Sequence, residues 1–218
     1  MSTPSTYVPA LGYRWLTPLY DATVRFTTRE RTFKRALLVQ AGLSPGHEVL
    51  DLACGTGTLT VWAKQSVPDA QLHGVDGDPE VLSLAHKKAS AAGVEIPFQT
   101  GYSTELPYSE ASFDRVLCSL FFHHLDAASK QRSFAEALRV LKPGGELHMA
   151  DWGRAANPLM RLAFFGIQLL DGFPNTADNV QGRLPEFMRA AGFDGVEETR
   201  RYATMWGTLS LYRAVKPA

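Results

Sequence analysis

The segment from Val49 to Leu59 limits the fold more than any other. An apolar run, Val49-Leu50-Asp51-Leu52, breaks into Ala53-Cys54-Gly55-Thr56-Gly57, and a helical pattern opens at Thr58. This order predicts a strand, a small-residue turn and a helix. Glycine permits positive φ and close approach of backbone to a ligand. Amides at the start of a helix favour an anionic or electron-rich group. A lone Gly-x-Gly is weak, and its position after a strand strengthens it.

The flanking sequence repeats the alternation. Strands are expected over Glu48–Leu52, Gln71–Val75, Glu95–Gln99, Phe113–Leu120 and Glu146–Ala150, with Pro143-Gly144-Gly145 as a turn. Helices are expected over Thr58–Ser66 and Pro79–Ala92, and over a segment capped by Ser129 whose Phe134, Leu138 and Leu141 form an apolar stripe. Before them, aromatic-rich Tyr13–Phe26 and the spacing of Phe33, Leu37 and Leu38 read as helical up to Gly42 and Pro45-Gly46. After Asp151 come an apolar helix over Asn157–Asp171 and another over Leu184–Ala191. Two strands, Val196–Tyr202 and Thr208–Val215, flank Met205-Trp206-Gly207 and are expected to pair antiparallel, closing the sheet at one edge. Alternating strands and helices predict an α/β fold: a Rossmann-like, doubly wound, mostly parallel sheet with an antiparallel C-terminal edge hairpin and an N-terminal helical cap.

The turn calls for a following acid, and Val75-Asp76 ends the second strand. A carboxylate there can accept from ribose hydroxyls. Asp78, just before Pro79, is the better helix cap and leaves Asp76 free for a ligand. The nicotinamide fingerprint wants a third glycine, but Thr60 stands there. A dinucleotide is therefore disfavoured, and S-adenosylmethionine fits.

At this point the chain resembles a family. Asp51-Leu52-Ala53-Cys54-Gly55-Thr56-Gly57 is similar to the first motif of class I S-adenosylmethionine-dependent methyltransferases, and Gly74-Val75-Asp76 to their second. Thr104-Glu105-Leu106-Pro107-Tyr108, Ser112-Phe113-Asp114-Arg115-Val116 and Leu138-Arg139-Val140-Leu141-Lys142-Pro143-Gly144-Gly145 resemble the segments into and after strand four. The resemblance is closest to the branch of the ubiquinone and menaquinone C-methyltransferases. It implies one methyltransferase domain over 1–218: a cap (1–45), a cofactor-binding core (46–151), a helical substrate-covering insertion (152–192) and C-terminal strands (193–218). It further implies that Asp51 holds the methionine ammonium, and that Ala53, Gly55 and Gly57 let the backbone approach the amino-acid part. Asp76 would bind the ribose beside Gly77, Ser103 the adenine through its amide, and Ser119 and Leu120 the methionine portion. Two positions depart from the pattern. Ala53 replaces a glycine, and Tyr102 stands where an acid usually meets the adenine amino group.

Methyl transfer asks mainly for geometry. The acceptor must lie in line, about 3–3.5 Å from the methyl, with water excluded. His123 and His124 are candidates for a base, with adjacent side chains expected to diverge so that one faces the site. No metal triad is apparent beside them, and no metal is expected. Tyr20, with Asp21, resembles a motif that covers the cofactor in similar enzymes, and Tyr13 precedes it. Trp152, Phe164 and Phe165 are candidates to line an acceptor pocket. The expected partner is a small, partly hydrophobic methyl acceptor. The competing reading is a non-catalytic S-adenosylmethionine-binding sensor or assembly module.

Composition removes other classes. Lys plus Arg and Asp plus Glu each number 22, so the net charge is zero and no nucleic-acid partner is expected. Two cysteines outside any Cys-x-x-Cys exclude a disulfide framework. Leu159–Leu170, which carries Arg161 and Gln168, is shorter than the roughly 20 apolar residues of a bilayer span. No transmembrane segment and a cytoplasmic location are expected. None of these motifs names the methylated atom or an oligomeric state.

Overall fold

A computed structural model describes residues 28–218. Tyr13 and Tyr20 lie outside the described residues. Seven strands form one sheet in the order β3-β2-β1-β4-β5-β7-β6. They are β1 (Glu48–Leu52), β2 (Gln71–Asp76), β3 (Phe98–Thr100), β4 (Phe113–Ser119), β5 (Leu141–Trp152), β6 (Asp194–Thr204) and β7 (Gly207–Val215). Strands β1 to β5 pair parallel, and β7 pairs antiparallel with both β5 and β6. The expected mostly parallel sheet with an antiparallel hairpin is therefore present. β6 forms the outer edge, and β7 lies inside against β5.

Burial follows the pleat, which sends successive side chains to opposite faces. Leu50 and Leu52 of β1, Val116 and Cys118 of β4, and Leu147 and Met149 of β5 feed one core with Phe134 and Met188. Val49, Leu117 and Ala150 feed the other core with Phe33, Leu37 and Leu59. The helices supplying those partners are α1 (Glu30–Ala41), α2 (Thr58–Ser66), α4 (Ala127–Val140) and α8 (Leu184–Ala191). α3 (Pro79–Ala91) is capped by Asp78, whose carboxylate accepts from the amides of Glu80 and Val81.

Several boundaries differ from expectation. The third strand begins at Phe98, because Pro97 has no N–H to give a ladder. α4 is capped by Asp126, not Ser129; Asp126 accepts the Ser129 amide at 2.6 Å. The apolar helix after Asn157 breaks at Phe164 into α5 (Pro158–Ala163) and α6 (Phe165–Asp171). A further helix, α7 (Phe173–Gln181), follows between Gly172 and Gly182, both with positive φ. Among the described residues no helix is long and apolar enough to cross a membrane.

The sheet runs β1-β2-β3 to one side and β4-β5 to the other. The carboxyl ends of β1 and β4 therefore flank the switch point where α/β sheets bind ligands.

Candidate active site

The chain leaves β1 through Ala53, Gly55 and Gly57, with φ of 55°, 56° and 73°. Ala53 thus takes the left-handed backbone that favours glycine, which accounts for glycine being the usual residue there. Gly57 is needed for packing as well: a Cβ on it would lie 3.0 Å from Ala85 Cβ and 3.1 Å from the Phe98 ring. A Cβ on Gly55 would meet nothing within 4 Å, so this glycine faces open space.

Two acids stand at the heads of β1 and β2. Asp51 is 1% exposed and accepts the Thr60 hydroxyl at 2.5 Å. Burial pushes its carboxyl up to about 6 against the opposing hydrogen bond from Thr60. Thr60, which stands where a dinucleotide site wants glycine, therefore serves to hold Asp51. Asp76 is also shifted upward, mainly by burial and against hydrogen bonds from the backbone. Its carboxylate is not free as expected: Oδ2 accepts the Gly55 amide at 2.9 Å and Oδ1 the Asp78 amide at 3.0 Å. It braces the turn and keeps lone pairs over. Neither acid makes an ion pair among the described residues. Lys34 contributes a favourable charge toward Asp51 while bonded to Glu30 at 2.6 Å. A buried and a half-buried carboxylate, without an ion pair among the described residues and beside an open glycine, suit a ligand with an ammonium and hydroxyl groups.

The other expected cofactor positions divide. Gly77, Ser119 and Leu120 are half-buried around the same strand ends. Leu120 has φ of 56°, a strained turn out of β4 held by its amide on Ala150 O at 2.8 Å. Tyr102 is 56% exposed. Ser103 turns its hydroxyl inward to Ser133, 2.7 Å away.

Past β4 the chain forms one 3-10 turn, Phe122–His124. The expectation that the histidines diverge is wrong. The tight turn brings the two rings together, centroids 4.0 Å apart and tilted by 40°, and both face Asp171 at the end of α6. His123 Nε2 lies 3.6 Å from Asp171 Oδ2, and His124 Nδ1 lies 3.4 Å from Asp171 Oδ1. Behind them, Asp151 of β5 meets His123 Nδ1 at 2.7 Å. The same carboxylate also accepts the amides of Phe121, Phe122 and Trp152. Against the upward push of burial, His123 and the hydrogen bonds hold Asp151 below the usual carboxylate range. Burial, with the neighbouring His123, lowers His124 and keeps it neutral. The reading that no third metal-binding group accompanies the pair is also corrected, since His123, His124 and Asp171 bring donor atoms within 4.8 Å of one another.

Trp152 and Phe164, the expected pocket residues, pack edge to face with centroids 5.6 Å apart, and His123 lies against Trp152. Both aromatics are almost fully buried. Phe165 is apart from them, 40% exposed, under the Arg161 guanidinium and near Phe173. Sequence reasoning used Thr60 only against a dinucleotide and missed its bond to Asp51, and it missed Asp151 and Asp171. Asp151 carried a signal, an acid following the mostly apolar run Leu147–Ala150 near the carboxyl end of β5, like Asp76 at the end of β2.

The methyltransferase domain family matches residues 49–145. A demethylmenaquinone methyltransferase from Deinococcus radiodurans is 31% identical across 90% of this chain and 88% of its own. A ubiquinone/menaquinone biosynthesis C-methyltransferase from Bordetella avium is 30% identical across 77% of this chain and 72% of its own. Among solved structures, a methyltransferase-like protein from Bacillus halodurans superposes with a TM-score of 0.70 at 19% identity, covering 85% of this chain and 99% of its own. That likeness concerns the fold.

Proposed function

This chain belongs to the demethylmenaquinone methyltransferase family of class I S-adenosylmethionine-dependent methyltransferases, and on that premise we propose that it methylates a small, partly hydrophobic, quinone-like acceptor by in-line displacement. The observation that carries the reading is the pair of carboxylates, buried Asp51 and half-buried Asp76, both shifted upward, beside the open face of Gly55 at the switch point. S-adenosylmethionine, when bound, supplies an electrophilic methyl group that leaves its sulfonium sulfur as the bond to the acceptor forms.

The chain's own groups bind and orient. Asp51, held by Thr60, meets the ligand's ammonium, and the charge it gains offsets the cost of keeping a carboxylate buried. Asp76 accepts from ribose hydroxyls with the lone pairs not taken by Gly55 and Asp78. Ala53, Gly55 and Gly57 lie under the amino-acid part, Gly77, Tyr102 and the Ser103 amide around the adenine, and Ser119 and Leu120 beside the methionine portion. Tyr20 and Tyr13, in the N-terminal segment, complete the cover. Residues 152–192 form the acceptor side, with Trp152, Phe164 and Phe165 as its apolar groups. A proton released by the acceptor goes to His123, aimed by Asp151, or to His124.

Calorimetry with S-adenosylhomocysteine tests the assignment. Binding is expected to the wild type and to fall at least tenfold in Asp76→Ala, since a charged hydrogen bond is worth about 1.5–3 kcal/mol. Unchanged affinity in that variant refutes the ribose role. Cofactor binding without turnover on reduced quinones would favour the sensor reading.

A further inference from the structure

Asp151 fixes the tautomer of His123. Its carboxylate is ionised and saturated with donors: three backbone amides, the His123 ring at 2.7 Å, and Asn179 Nδ2 at 3.5 Å. An ionised acceptor in that setting places the His123 proton on Nδ1. In the neutral ring Nε2 is then the free donor atom, 3.6 Å from the Asp171 carboxylate. A lone pair facing a carboxylate oxygen is repulsive unless a proton or a metal cation lies between them. His124 presents Nδ1 to the other oxygen of the same carboxylate at 3.4 Å.

We propose that His123 Nε2, His124 Nδ1 and the Asp171 carboxylate form a binding site for a divalent transition-metal ion of the Zn2+ type. With bonds of about 2.0–2.1 Å, donors on the edges of a tetrahedron stand about 3.3 Å apart. The 3.6 Å and 3.4 Å separations run from the two rings to the two oxygens of one carboxylate, and the three donor groups lie within 4.8 Å of one another, within reach of a single ion. Two imidazoles and one carboxylate suit zinc and its first-row neighbours rather than magnesium or calcium. Asp151 behind His123 is the carboxylate–histidine support that orients metal-binding imidazoles. Three protein donors leave a fourth position open.

The ion would clamp two parts of the chain. His123 and His124 sit on the turn after β4, whereas Asp171 ends α6 in the insertion, next to Gly172 with φ of 88°. Occupancy ties the insertion to the sheet. It also takes the imidazole lone pairs, so proton uptake by this pair belongs to the metal-free protein. The site rests on these donors alone and does not depend on the acceptor proposed above.

The test uses the untagged full chain freed of metal by chelation. Equilibrium dialysis against Co2+ or Zn2+ with elemental analysis is expected to give one ion per chain, and Co2+ the intense visible bands of a tetrahedral site. Asp171→Asn and, independently, His124→Gln are expected to weaken binding at least 100-fold. S-adenosylhomocysteine binding should persist in both, which reports that they fold. His86→Ala, on α3 and away from the cluster, should leave metal binding unchanged. Absence of stoichiometric binding by the wild type overturns the proposal, as does binding that survives both substitutions or falls equally with His86→Ala.

Discussion

Keeping Asp51 in the interior has a measurable cost. Its carboxyl moves from 3.8 to about 6, with burial as the main cause. Each pH unit of that rise is worth about 1.36 kcal/mol, so the ionised form costs the fold roughly 3 kcal/mol at neutral pH. The sign is that of a raised carboxylate. The stability is fully present below 3.8 and is lost as pH rises through 6. Linkage places about 1.6 kcal/mol of the loss by pH 5 and about 3.0 kcal/mol by pH 8. Asp51→Asn removes the titration while retaining an oxygen for the Thr60 hydroxyl. Its new amide adds a cost of its own, about 1–3 kcal/mol if unpartnered, but that cost does not vary with pH. Urea unfolding of both proteins at pH 5, 6, 7 and 8 therefore isolates the effect. The wild type should lose about 1.4 kcal/mol relative to Asp51→Asn between pH 5 and 8, mostly below pH 7. A pH-independent difference, or a wild type that gains on the variant as pH rises, refutes the argument. Saturating S-adenosylhomocysteine should remove most of the wild type's deficit and little of the variant's.

The two turn glycines should fail differently. Gly55→Ala, with open space around its Cβ, should cost only the left-handed strain of about 1–2 kcal/mol yet weaken cofactor binding. Gly57→Ala adds the contacts with Ala85 and Phe98 and should be less stable than Gly55→Ala by about 1 kcal/mol or more, read by chemical denaturation. On the other side of the sheet, Arg213 holds the Glu146 carboxyl down to about 2, against burial. Because that carboxyl is depressed, its stabilisation is present above 4.5 and lost as pH falls toward 2. Arg213→Met should cost about 1 kcal/mol at pH 7, since Arg213 is partly exposed, and the cost should shrink below about pH 4.5 in thermal melts.

Much of the fold was legible because parallel strands, buried on both faces, show as short apolar runs punctuated by glycine. β1, β2 and β4 stood out for that reason, and the acids closing β1 and β2 were found with them. The break at Phe164 was hidden, because apolar spacing over Asn157–Asp171 suits one helix as well as two. Asp126 outranked Ser129 as a cap although either side chain can accept an amide; the choice is made by where the turn after His124 delivers the chain. The histidine cluster was half visible. Adjacent histidines were plain, but their convergence depends on a single 3-10 turn. Their third partner, Asp171, arrives from a distant helix, and no local pattern announces such a meeting.

The insertion has both feet in the core. The chain departs from β5 at Trp152, paired with Leu209 of β7, and is anchored again at fully buried Leu184 on α8. What lies between, residues 153–183, is a run of short helices fastened to the body of the fold along its length: the Ala156 amide donates to Thr208, Lys130 to Asp178 and Asn179 to the Trp152 carbonyl. Such a span behaves as a cassette. On the reading of residues 152–192 as the acceptor side proposed above, an exchange that keeps those contacts changes the acceptor and leaves the donor side in place. Grafting 153–183 from a relative with a different acceptor onto this chain is the corresponding engineering experiment, and Trp152 and Leu184 mark where to cut.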